Sequence, residues 1–170
     1  LIVSNRPRYG GYVVHLAIIV LALGVVGSSF YGTQKDVLLE PGQSITVRGY
    51  KIEYTDSMTV DKPDRREYFF NLAIDKGDRS LGTLTAERTF YRNFDISATK
   101  AGIRSTPVED LYIVPSEARE DSESIGFRIF INPLIWWMWI AGPIMIIGTV
   151  IAVWPTAAFP GQLLSRDHEK

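Results

Sequence analysis

The chain has no cysteine. Disulfides, thiolate metal centres, thiol nucleophiles and a Cys-x-x-Cys-His haem attachment are therefore excluded on this chain. Histidine occurs only twice, at His15 and His168, too few for a His-rich metal centre. Neither sign of charge is in excess, with 18 Lys+Arg against 19 Asp+Glu, so a broad basic nucleic-acid surface is not expected. The sequence has no Ser-His-Asp set, no phosphate-binding loop and no metal-ligand spacing, which leaves hydrolase and kinase chemistry without support. It also lacks internal repeats and low-complexity tracts.

What the chain does have is a sharp partition of its apolar residues. Tyr12 to Tyr31 is a run of 20 residues without Asp, Glu, Lys or Arg, and Leu134 to Trp154 is a second uncharged run of 21. At 1.5 Å per residue each reaches about 30 Å, the thickness of one hydrocarbon core. A backbone in lipid must satisfy its own hydrogen bonds, so both runs read as transmembrane helices. Two buried helices of a soluble core are the bland alternative, but 170 residues could hardly surround both. The expected layout is a flank over 1–11, helices over 12–31 and 132–154, and a tail over 155–170. Asn132-Pro133 reads as cap and first residue of the second helix, Pro155 as its stop, and Pro143 as a mid-span kink. Tyr9, Tyr12, Phe30, Tyr31, the Trp136-Trp137-Met138-Trp139 cluster and Trp154 suit membrane interfaces. Arg6 and Arg8 before the first helix, and Arg166 and Lys170 after the second, place both ends in the cytoplasm. The chain starts at Leu1 and reads as a piece of a longer polypeptide.

Between Gly32 and Ile131 the period changes to two. Tyr50, Ile52 and Tyr54 alternate with Lys51, Glu53 and Thr55, and Tyr68, Phe70, Leu72 and Ile74, then Ile125, Phe127, Ile129 and Ile131, recur at every second position through two further strands. Shorter strands are expected at Ser44–Arg48, Ser80–Thr85, Phe94–Ala98 and Asp110–Val114, with turns at Glu40–Gln43, Lys62–Asp64 and Asp75–Asp78. The fold class is thus α+β: two transmembrane helices flanking an extracytoplasmic all-β domain, a small barrel or sandwich of six to eight strands.

Few residues carry chemistry. His15 is the one ionisable side chain in either apolar run, and an intramembrane imidazole is a functional candidate and a good haem-iron ligand. Its place one turn inside Tyr12 also suits an interfacial or packing histidine. The tryptophans Trp136 and Trp137 could face a porphyrin or form a headgroup-level belt. Gly24 with Ser28, and Gly148 with Ala152, are small residues four apart that permit close helix contact. Glu87-Arg88 and Glu109-Asp110 read as solvated charge clusters, and His168 sits in a polar tail.

Asn5-Arg6-Pro7-Arg8-Tyr9-Gly10-Gly11-Tyr12-Val13-Val14-His15-Leu16 resembles the Arg-Arg-Tyr-Gly-x-Tyr-x-x-His-Leu stretch of the CcmF family of cytochrome c-type biogenesis proteins. Leu39-Glu40-Pro41-Gly42, Gly49-Tyr50, Glu87-Arg88, Tyr91, Glu109-Asp110-Leu111-Tyr112 and the Asn132 to Trp139 stretch follow in family order. The resemblance runs from about Asn5 to Pro155 and implies the C-terminal part of a haem lyase component of the bacterial inner membrane. It implies a b-type haem with His15 as one axial ligand, the other lying on an upstream helix or a split partner. That haem would relay electrons to the delivered haem before its vinyl groups meet apocytochrome thiols. Implied partners are a CcmE-like haem chaperone, CcmH/CcmI-like apocytochrome-presenting proteins, apocytochrome c and membrane lipid. The family's tryptophan-rich WWD domain and its two extracytoplasmic histidines are missing from this stretch, and Ala86 stands where the family often has Pro. This segment alone is therefore not expected to catalyse the reaction. A reading from another class is a cofactor-free, membrane-anchored β-module that scaffolds an assembly complex.

Overall fold

A computed structural model describes residues 5–118 and 124–154. Pro155, Arg166, His168 and Lys170 lie outside the described residues. Helix α1 spans Arg6–Tyr31 and α2 spans Ile135–Val153. Among the described residues nine strands lie between them: β1 Thr33–Leu39, β2 Ser44–Val47, β3 Tyr50–Asp61, β4 Arg65–Lys76, β5 Arg79–Tyr91, β6 Ile96–Lys100, β7 Gly102–Ser105, β8 Glu109–Ala118 and β9 Ile125–Pro133. They form two antiparallel sheets, β1-β9-β8-β7 and β2-β3-β4-β5-β6, packed as a sandwich.

The period-two runs are the core. Tyr50, Ile52, Tyr54, Phe70, Leu72, Ile74, Phe127, Ile129 and Ile131 are buried, with Leu111 and Ile113 from β8. Tyr54, Phe70 and Phe127 meet edge to face, with ring centroids 5.3–6.3 Å apart across the two sheets. All of the largest fully buried side chains belong to the sandwich, each stabilising it by about 2 kcal/mol. The helices bury only glycine and alanine: Gly10, Ala17, Gly24 and Gly27 on α1, and Ala141 and Gly148 on α2.

Two strands depart from expectation. β1, an edge strand paired to β9 alone, carries Gln34, Lys35 and Asp36 and turns inward only at Val37 and Leu39, with Lys35 exposed on the same face. β7 is only four residues long and follows β6 after the single residue Ala101, passing the chain from one sheet to the other. A register shift after Tyr54 ends the inward alternation of β3, so Ser57 to Thr59 are exposed.

Asn132 and Pro133 are not the helix start. Both pair in β9, opposite Asp110 and Glu109, and Leu134 makes the turn into α2 with φ 60°. The ladder takes Pro133 because a strand's terminal residue tolerates a missing N–H. Leu134 N–H donates to the Val108 carbonyl at 3.0 Å, which holds the left-handed turn. α2 continues on both sides of Pro143.

α1 and α2 run antiparallel with backbones in contact. A Cβ on Gly10 would lie 2.5 Å from the Ala152 nitrogen and 2.6 Å from the Gly148 oxygen. One on Gly148 would lie 2.9 Å from the Val14 nitrogen. Gly24 faces Met138, and Gly27 lies under Leu134. The buried small residues Gly10, Ala17 and Gly24 recur every seven positions, as do Ala141 and Gly148. A seven-residue repeat keeps one face on a partner helix along its length. Of the four-apart pairs, Gly24, Gly148 and Ala152 lie at this contact, while Ser28 is only partly buried.

Gly148→Leu forces these backbones apart and should destabilise the helix pair by about 1–3 kcal/mol. Gly142 has nothing within 4 Å of an added Cβ, so Gly142→Ala should be neutral or slightly stabilising. Thermal unfolding of the full-length protein in detergent checks both, and equal losses would contradict the seam.

Candidate functional site

His15 lies on the α1 face turned away from α2. At 100° per residue it is about 140° around the helix from Gly10, the seam position. Its ring is exposed, and Nδ1 donates to the Gly11 carbonyl at 2.7 Å. A carbonyl only accepts, so Nδ1 carries the hydrogen. In the neutral ring Nε2 then keeps its lone pair and points outward. A backbone carbonyl holding the other ring nitrogen is how proteins orient metal-bound imidazoles. Gly11, one turn below, has nothing within 4 Å of an added Cβ, leaving open surface beside the ring. The free nitrogen donor is of a kind that fits an iron ligand. No group of three or more His, Asp or Glu residues that could hold a metal ion occurs among the described residues.

A second constellation joins the sandwich to the helices. Arg48 Nη1 donates to the Tyr31 carbonyl at 2.7 Å and to Thr33 Oγ1 at 3.3 Å. A cation there complements the negative end of α1. Arg48 and Gly49 both have positive φ, as a two-residue hairpin between Val47 and Tyr50 demands. Beside it, Tyr50 Oη donates to Glu109 Oε1 at 3.0 Å, and Lys76 Nζ donates to both Tyr50 Oη and Glu109. Asp110 accepts from the Thr106 amide at 3.3 Å and from Tyr112 Oη at 3.4 Å. Glu109 and Asp110 are 9% and 3% exposed, so they are not the solvated pair the sequence suggested. Burial of Glu109 is compensated by partners distant in sequence, and burial of Asp110 by near neighbours. Burial by itself would raise the Glu109 carboxyl, but the hydrogen bonds from Lys76 and Tyr50 outweigh it and hold the group below its usual range. Lys76 is raised, chiefly by its hydrogen bond to Glu109. Tyr50 is raised, first by burial and then by Glu109.

The C-terminal beta-sandwich of CcmF matches residues 30–133, more than half of the chain. The chain belongs to the CcmF family. It is 27% identical over 148 residues to the cytochrome c-type biogenesis protein CcmF of Pseudomonas aeruginosa, covering 87% of this chain and 22% of that protein. The CcmF of Haemophilus influenzae is 27% identical over 149 residues, covering 88% and 23%. The probable cytochrome c-type biogenesis protein NrfE of Escherichia coli is 26% identical over 151 residues, covering 89% and 27%. A solved structure named cytochrome c heme lyase CcmF shares the fold, with a TM-score of 0.73 at 24% identity, over 90% of this chain and 26% of that one. The chain thus spans about a quarter of the length of these CcmF-type relatives.

Within this CcmF-type unit the tryptophans stand apart from His15. Trp136 and Trp137 open α2 at the sandwich end, where Gly24 meets Met138. His15 lies nine residues before Gly24, about 13 Å along the axis. Trp137 Nε1 donates to the Pro107 carbonyl at 2.8 Å, seating α2 on the β7–β8 turn, and Trp139 is 76% exposed. Ala86 is fully buried and pairs with Phe70 in β4. Arg48 and Lys76 were not legible as junction residues, since nothing local marks a bond spanning tens of residues. The positive-φ pair Arg48-Gly49 was the one available signal.

The Tyr50–Lys76–Glu109 group sets a pH window. The lowered Glu109 carboxyl contributes stability that is complete above its unfolded value and lost as acid titrates the folded group. The raised Lys76 and Tyr50 contribute stability that is complete below their unfolded values and lost in alkali. Unfolding monitored by hydrogen exchange of β8 should be flat between about pH 5 and pH 9 and fall on both sides. Glu109→Gln should cost about 1–3 kcal/mol at neutral pH and shrink the acid limb. An unchanged acid limb in that variant would remove Glu109 from the account.

Proposed function

We propose that this chain is the C-terminal module of a haem-handling component of cytochrome c maturation, and that His15 gives one axial ligand to a b-type haem. The observation that carries the reading is the disposition of His15. Its Nδ1 is fixed on the Gly11 carbonyl, and its Nε2 is presented from the α1 face that α2 leaves open. The relatives' names, cytochrome c-type biogenesis protein and cytochrome c heme lyase, support the process.

In this reading α1 and α2 cross the bacterial inner membrane. Both are long and apolar enough, at 26 and 19 residues, and little of either is covered by protein. Arg6 and Arg8 on the short flank put both helix ends away from the sandwich in the cytoplasm, and the sandwich in the periplasm. The second axial ligand and the rest of the pocket come from helices outside this chain. A haem bound there supplies one-electron chemistry at a potential set by its axial ligands and surroundings. This chain's residues do the holding. Gly11 orients the imidazole, the small-residue seam fixes the α1 face, and Arg48, Leu134 and Trp137 clamp the sandwich at the membrane. A clamped sandwich offers a CcmE-like haem chaperone, CcmH/CcmI-like proteins and apocytochrome c a docking surface at fixed height.

The test is the visible spectrum of the full-length protein purified with its upstream helices. His15→Ala should abolish or strongly reduce the b-haem Soret band while leaving the sandwich folded by circular dichroism. An unchanged spectrum excludes His15 as a ligand. Absence of haem from the wild-type protein favours a cofactor-free scaffold.

A further inference from the structure

The face that carries His15 also carries an uncompensated cation. Arg8 is seven residues before His15, two helical turns and about 10 Å along the axis, within about 20° of the same direction. Helical side chains lean toward the N-terminus, so the His15 ring inclines toward Arg8. The Arg8 guanidinium does not hang free. Its Nε donates to Tyr12 Oη at 2.8 Å, and its central carbon lies 5.7 Å from the Tyr12 ring centroid. That leaves both terminal nitrogens of the fork open. No carboxylate pairs with Arg8 among the described residues. Gly11 lies between Arg8 and His15 on this face. Its added Cβ would meet nothing within 4 Å, so the surface between cation and imidazole is bare backbone. A glycine within a helix costs up to about 1 kcal/mol against alanine, and no packing contact among the described residues requires it at position 11. The same helix supplies an iron-binding nitrogen, a flat strip beside it, and an immobilised cation beyond the strip.

We propose that Arg8, positioned by Tyr12, binds a propionate of the haem ligated by His15, with the macrocycle lying over Gly11. The inference rests on the haem reading of His15. Charge and shape favour this occupant over a lipid phosphate. An anionic headgroup needs the cation but has no use for a bare glycine or for an imidazole on the same face. Arg6 provides the control, because it sits at the same interface but about 40° from Gly10, on the side facing α2.

The experiment is a redox titration of the full-length, haem-containing protein at several pH values. Removing a cation beside a propionate disfavours the reduced haem, so Arg8→Gln should lower the midpoint potential and change its pH dependence. Arg8→Lys, which keeps the charge without the fork, should retain most of the wild-type potential. Tyr12→Phe should shift it in the direction of Arg8→Gln but less. Gly11→Leu, which favours the helix, should lose haem to an apomyoglobin acceptor several-fold faster than wild type. Arg6→Gln should leave the potential unchanged. A titration of Arg8→Gln superimposable on wild type would overturn the proposal, as would an equal shift from Arg6→Gln, which assigns both arginines to lipid. Both outcomes leave the His15 reading intact. That reading fails on its own test, a Soret band that survives His15→Ala.

Discussion

The helix seam follows from a constraint set in the sandwich. β1 follows α1 after Gly32, β9 leads into α2 through Leu134, and the two strands are direct neighbours with Thr33 opposite Ile131. Paired strands lie about 4.8 Å apart, whereas helix axes pack at about 8–10 Å. The helices therefore leave the sheet closer together than large side chains would allow. Gly27 under Leu134, and Gly24 against Met138, remove the bulk where the mismatch is greatest. Farther out, Gly10 and Gly148 keep the backbones in contact. A helix pair that began close and then met bulky residues would splay.

From that seam follows the use of every other face. Once Gly10, Ala17 and Gly24 are committed to α2, the opposite side of α1 is the one that can receive something else. His15, Gly11 and Arg8 all lie there. The exposed apolar residues Ile18, Ile19 and Val26 share that side. An imidazole surrounded by such residues is costly in lipid unless its lone pair is used. The Nδ1 bond to Gly11 offsets part of that cost and leaves Nε2 as the nitrogen available to a partner.

The sandwich was legible because its residues obey the simplest rule available. Tyr50 to Tyr54, Phe70 to Ile74 and Phe127 to Ile131 alternate, and all of them turn inward. β1 escaped because Lys35 interrupts its inward-facing set, leaving Val37 and Leu39 too short a pattern to read. The helix seam was half legible: glycines four apart are a familiar sign of close packing, but here the repeat is seven, two helical turns, and its need for small residues comes from the strand spacing. Glu109 and Asp110 misled for a different reason. A local charge pair reads as solvated unless its partners are known, and Lys76 and Tyr50 reach Glu109 only through the fold. His15 needed no tertiary information, since a lone imidazole in an uncharged run is conspicuous. The face it occupies did need it.

The two halves of the molecule are stabilised by different physics, and the junction must reconcile them. The sandwich buries large apolar side chains and has the composition of a soluble domain. The helix pair buries glycine and alanine, gaining from van der Waals contact and close backbone approach rather than from transfer of large side chains out of water. A hinge between such units would let the sandwich tilt. Three bonds oppose this from different directions: Arg48 to the last carbonyl of α1, Trp137 to the Pro107 carbonyl, and the Leu134 amide to Val108. Leu134 accepts a left-handed backbone to make the last of these, at a cost of about 1–3 kcal/mol for a bulky residue. Glycine at 134 would avoid the strain but would lose the side chain that covers Gly27. The strain is retained because the same residue turns the strand into the helix and fills the narrow end of the seam, so the turn and the helix packing cannot be optimised separately.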